Sequence, residues 1–135
     1  MRGTSYCVIH YIAPQVMPMD EVVERFETEV KRGMMQVAIM CLLEQERYGY
    51  DIIKSLKDGG LGVEEGTLYP ILRRLEDDRL LSSRWETTGP RPRKYYVITA
   101  YGRDVRAQLL ASLSHFTEAM ARLERNVNGN TEGGN

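Results

Sequence analysis

Leu109, Leu113, Phe116, Met120, Leu123 and Val127 recur at alternating spacings of four and three residues. This is the heptad rhythm of a helix that keeps one apolar seam toward a partner. It predicts one long helix from Ala100 to about Asn126. The polar, glycine-rich NGNTEGGN after it (128–135) reads as a disordered tail. A chain of 135 residues builds one core of ordinary size and offers so long a seam no equal partner. A second copy supplies one, so a homodimer is expected, with Leu109, Leu113, Phe116, Met120 and Leu123 at its interface.

The pattern upstream is helical, then extended. Asp20 caps a helix running to about Lys31, with Val22, Val23, Phe26 and Val30 on one face and Gly33 closing it. Val22 and Phe26 are assigned to the same dimer interface. Met34 to Glu44 is apolar nearly all round and reads as a buried central helix, with Cys41 a small core residue. A turn at Tyr48 and Gly49 leads to a short amphipathic helix, Tyr50 to Lys57, which Gly59, Gly60 and Gly62 end. The next helix spans Thr67 to Asp78, with Leu68, Ile71, Leu72 and Leu75 inward. With Thr67 as N-cap, Pro70 is the third helical residue, where no intrahelical N–H bond is needed. Leu80–Glu86 and Lys94–Thr99 read as two strands joined by the turn-forming TTGPRPR. The chain is thus mainly α with a small β-hairpin: a winged helix-turn-helix over residues 19–99, a dimerisation helix over 100–127, and residues 1–18 as a flexible extension.

Several function classes are thin on residues. No G-x-S-x-G, glycine-rich phosphate loop or H-E-x-x-H occurs, and Cys7–His10 and His115 lack catalytic company, so the chain reads as no enzyme and needs no cofactor. Two cysteines without C-x-x-C spacing and two isolated histidines give no metal site. No apolar run approaches the roughly 20 residues that span a bilayer, nor does a cleavage site follow Tyr6–Ala13, so a cytoplasmic location is expected.

A net charge of −1 gives no overall hint of a nucleic-acid partner, so any basic surface must be local. At 100° per residue, burying Leu68, Leu72 and Leu75 turns Pro70, Arg73 and Asp77 outward, flanked by Thr67, Tyr69 and Arg74. Hydroxyls and free N–H groups at a helix start suit phosphate oxygens, and an arginine fork matches guanine in the major groove. Between Arg79 and Arg103 stand six basic residues (Arg79, Arg84, Arg91, Arg93, Lys94, Arg103) against the single Glu86, an excess of five. A stiff, proline-held tip bearing Arg91, Arg93 and Lys94 suits a phosphate backbone or a minor groove. Double-stranded DNA is the expected partner.

The strings GMMQVAIMCLLEQERYGYDIIKSL, EEGTLYPILRRLEDDRLL and GPRPRKYYVITAYGR resemble the PadR family of transcription regulators, over about residues 20–125. The resemblance implies a homodimeric repressor acting on a palindromic operator and released by a small aromatic or cationic effector. It maps the family's DNA-facing positions onto Thr67, Tyr69, Arg73, Arg93 and Lys94, and an effector site onto Met34, Met35, Phe116 and Met120. Two features depart from the family's pattern. Glu64 and Glu65 stand where a small hydroxyl residue is usual, and Arg79 replaces a glycine, which strains the helix end if a positive φ persists. The two glutamates and the near-neutral charge motivate an alternative, a winged-helix protein–protein interaction module that has lost DNA binding.

Overall fold

The computed structural model describes residues 16–132. The extension expected over 1–18, with Cys7 and His10, lies almost wholly outside the described residues, as do 133–135. The chain divides into two compact units, Met1–Arg32 and Gly33–Asn135. In chain order the elements are α1 (Met19–Leu42), β1 (Arg47–Tyr48), α2 (Gly49–Asp58), α3 (Glu65–Asp77), β2 (Leu81–Glu86), β3 (Arg93–Ile98) and α4 (Ala100–Glu132).

The first unit contributes the start of α1. Glu21 and Val22 donate their N–H groups to the Pro18 carbonyl, so the helix begins at Met19. Asp20 sits in its first turn, where a carboxylate suits the helix dipole, rather than at its cap. The two helices expected on either side of Gly33 are a single helix of 24 residues. Gly33 is exposed, and a Cβ there would meet nothing. Glycine in a helix costs only about 1 kcal/mol relative to alanine, too little to end a helix whose flanks are strong formers.

In the second unit, Met35, Ile39, Met40 and Leu43 meet Ile52 and Leu56 of α2, Leu68, Leu72 and Leu75 of α3, Leu81 of β2, and Tyr96 and Ile98 of β3 in one core. Met34 and Cys41 point away from it and are exposed. The expected all-round burial of Met34–Glu44 is therefore one-sided, and Cys41 is no core residue. The sheet has three strands in the order β1-β3-β2, all antiparallel. The added strand is Arg47–Tyr48, with Tyr48 expected in a turn instead; it pairs Arg47 with Tyr96 and Tyr48 with Tyr95. Two residues are too few for a period-2 pattern to register.

Helices α2 and α3 end in the same way. Leu61 N–H reaches the Leu56 carbonyl and Gly60 N–H the Lys57 carbonyl; Leu80 N–H reaches Leu75 and Arg79 N–H reaches Glu76. Both are Schellman ends, whose C′ residue takes a left-handed conformation. That residue is Gly60 (φ 87°) in α2 and Arg79 (φ 62°) in α3. Arg79 is the one non-glycine residue with positive φ among the described residues, so the strain expected there is present.

Thr99 joins the end of α3 to the start of α4. Its hydroxyl donates to the Arg79 carbonyl (2.7 Å) and accepts from Gly102 N–H (2.9 Å). A Cβ on Gly102 would overlap the Leu80 carbonyl, so glycine is required for this close approach. Arg103 and Arg106 both donate to Glu44 (3.0 and 2.7 Å), and Arg106 also donates to the Met40 carbonyl. Helix α4 then continues to Glu132, six residues past the expected end.

Candidate nucleic-acid interface

Helix α3 begins at Glu65, with Glu64 as its N-cap, three residues earlier than Thr67 as N-cap would place it. Thr67 is the third helical residue and donates its N–H to the Glu64 carbonyl. Pro70 is consequently the sixth, inside the helix, and the Gly66 carbonyl lacks its usual donor. Both residues are exposed, so that carbonyl is open to solvent.

The outward face carries the expected side chains. Thr67, Tyr69, Pro70, Arg73 and Arg74 are all exposed, and Tyr69, Pro70, Arg73, Arg74 and Asp77 line one shallow depression. Among the described residues neither Arg73 nor Arg74 has an acidic partner, although Glu76, Asp77 and Asp78 follow them closely. Their charge is available. Tyr69 is only half available, at 45% exposed. Its ring lies against Gly49 at the start of α2, where any Cβ would overlap the hydroxyl. Burial, with the Glu65 charge behind it, pushes the Tyr69 hydroxyl pKa upward, so it remains a neutral donor at physiological pH. Tyr69 thus clasps α2 to α3 while presenting one edge outward.

The wing is less cationic than its sequence. Arg84 donates to both oxygens of Glu46 and to Glu86 (3.1 Å to the latter). Arg103 is held by Glu44, and Lys94 by Glu76 at 3.4 Å. Glu44, Glu46 and Glu76 lie outside the window that gave the excess of five, and folding brings them to it. Arg91 and Arg93 have no acidic partner among the described residues, though the Arg93 guanidinium sits 4.7 Å from the centre of the Tyr48 ring. At the tip, Glu86 accepts from the Thr88 hydroxyl and N–H, which with Arg84 hold its pKa down to about 2.

The other predicted residues are dispersed. Leu109, Phe116, Met120 and Leu123 are exposed along α4 at 36%, 60%, 62% and 58%, and Leu113 is half-buried. In the first unit, Val22 is half-buried and Phe26 is exposed. Met35 is sealed in the core whereas Met34 is 41% exposed, so the two face differently. Sequence reasoning missed Gly49, Glu76 and Glu46. Only the Gly-Tyr pair carried any signal, since a glycine opening a helix invites the question of what approaches it. Among the described residues no group of three acidic, histidine or cysteine side chains is placed to hold a metal ion, and no helix is long and apolar enough to cross a membrane.

Comparison with known proteins agrees with this geometry. Residues 39–108 match the transcriptional regulator PadR-like family. A transcriptional regulator of Mycobacterium tuberculosis is 36% identical over 102 residues, 75% of this chain and 89% of the relative. Among solved structures, a PadR family regulator from Eggerthella lenta is 36% identical with a TM-score of 0.73, covering 77% of this chain and 93% of that one. A PadR-like transcription factor from Bacteroides fragilis is 40% identical with a TM-score of 0.63, covering 73% and 98%.

Proposed function

The chain belongs to the PadR-like family of transcriptional regulators, non-enzymatic DNA-binding proteins, and from that premise we propose that it is a cytoplasmic repressor that reads a palindromic operator as a homodimer. The observation that carries this reading is the exposed face of α3, where Arg73 and Arg74 stand without acidic partners beside Thr67, Tyr69 and Pro70. A guanidinium with no carboxylate to leave loses little when it turns to a guanine edge or a phosphate. Arg91 and Arg93 supply the flanking backbone contacts from the wing tip. The exposed seam of α4, Leu109 to Val127, is the surface a second copy covers. A small aromatic or cationic effector at Met34, Phe116 and Met120 would act through that dimer, while Met35 serves the core.

The test is a gel-shift titration of the full chain with mixed double-stranded fragments, repeated as salt is raised, alongside its mass in solution by light scattering. The reading expects a dimer and an affinity that falls linearly, on logarithmic axes, with salt. Glu64 and Glu65, both exposed at the start of α3, favour a second reading, a module that binds another protein. Under that reading no fragment shifts even at low salt, and a protein co-purifies instead.

A further inference from the structure

Lys94 stands apart from the other cations of the wing. Along β3 the side chains alternate, so Lys94 shares a face with Tyr96 and Ile98, which are core residues, while Arg93 and Tyr95 take the opposite face. Trp85 is its partner across the hairpin. The Lys94 ammonium lies 3.4 Å from a Glu76 carboxylate oxygen, 5.3 Å from the centre of the Tyr96 ring and 6.0 Å from that of Trp85. One ammonium therefore gathers the last turns of α3, both strands of the hairpin and a core aromatic. About a third of the side chain is accessible (33%), as for Glu76 (30%).

We propose that Lys94 is a positioning residue whose contacts with Glu76, Trp85 and Tyr96 set the angle between α3 and the wing, and that it neutralises no phosphate. Two arguments carry this. Its charge is already balanced within the protein, so moving it to a phosphate would strip Glu76 of its partner and leave a carboxylate beside DNA. The pair also joins the element that presents Arg73 to the element that presents Arg93, and the spacing between those arginines must match the duplex. The proposal rests on the DNA-binding reading for its consequence, but not for its geometry.

The experiment compares wild type with Lys94→Glu, Glu76→Lys and the exchanged pair, after thermal melts establish that each folds. The DNA probe is a labelled pool of random-sequence duplexes of about 30 bp. Each single variant is expected to lose at least tenfold in affinity, and the exchanged pair to return to within about threefold of wild type with the same salt slope. An exchanged pair that binds no better than Lys94→Glu alone, or whose slope falls by about one, the change expected for one lost phosphate contact, overturns the proposal. A second readout needs no DNA. Trp85 is the single tryptophan of the chain and is 62% exposed. Glu76→Lys is expected to shift its emission by releasing Lys94; emission indifferent to Glu76→Lys overturns the proposal. A wild type that shifts no duplex removes the DNA-binding reading, while the emission still decides whether the pair holds the wing.

Discussion

The outward face of α3 and the wing carry the same kind of side chain in opposite circumstances. On α3, Arg73 and Arg74 lie within five positions of three carboxylates and pair with none of them. On the wing, Arg84 and Lys94 are far in sequence from Glu46 and Glu76, yet both are held by them. Charge counted along a chain therefore misleads in both directions. It suggests local neutralisation where no ion pair forms, and free charge where the fold supplies a partner. Among the described residues of the α3 face and the wing tip, Arg73, Arg74, Arg91 and Arg93 are left without an acidic partner, and these four are the surface on which the functional reading stands.

The largest effect is expected at Arg73. On a selected operator, Arg73→Ala should cost about 1–3 kcal/mol, roughly 5- to 150-fold, and much less on random duplexes. Equal losses on both would make Arg73 another phosphate contact and erase the contrast between helix and wing. Next, Arg91→Ala with Arg93→Ala should weaken binding to every sequence alike and lower the salt slope by about two. Arg84→Ala should leave that slope unchanged, because its charge is spent on Glu46 and Glu86; a fall would show that the wing's ion pairs open on DNA.

A smaller effect concerns the hinge between the two regions. Arg79→Gly removes the left-handed strain at the end of α3 and should raise stability by about 0.5–1 kcal/mol, read as a higher midpoint in chemical denaturation. Gly60→Arg in the matching end of α2 should lower it. The smallest is the pH response of the wing tip. The Glu86 pKa is depressed from 4.5 to about 2, so its contribution is fully present above about 4.5 and is lost as pH falls toward 2. Trp85 emission should report loosening of the tip across that window, and Glu86→Gln should flatten the response.

The amphipathic spacing in α2 and α3 and the turn residues of the hairpin were legible, because those signals are local. So was the outward face of α3, since three buried leucines on one helix determine what points away from them. The illegible parts depend on partners distant in sequence. Gly33 resembles a helix stop, but nothing in the fold asks the chain to turn there. Thr67 resembles an N-cap, yet α3 starts at Glu65, its first N–H groups meeting the Glu64 carbonyl rather than a side-chain cap. Cys41 lies in an apolar run but on the side of α1 that the core does not reach. The clasp of Glu44 with Arg103 and Arg106 spans some sixty positions, and no periodicity encodes it.

Selection of duplexes from a fully randomised pool by the full-length chain, followed by sequencing, tests the central claim most directly, since it asks at once whether the α3 face reads bases and whether two copies read together. The account predicts enrichment of an inverted repeat whose half-sites lie about one helical turn, roughly 10 bp, apart, and loss of that enrichment in Arg73→Ala. A pool that stays random, or a motif without two-fold symmetry, would contradict it.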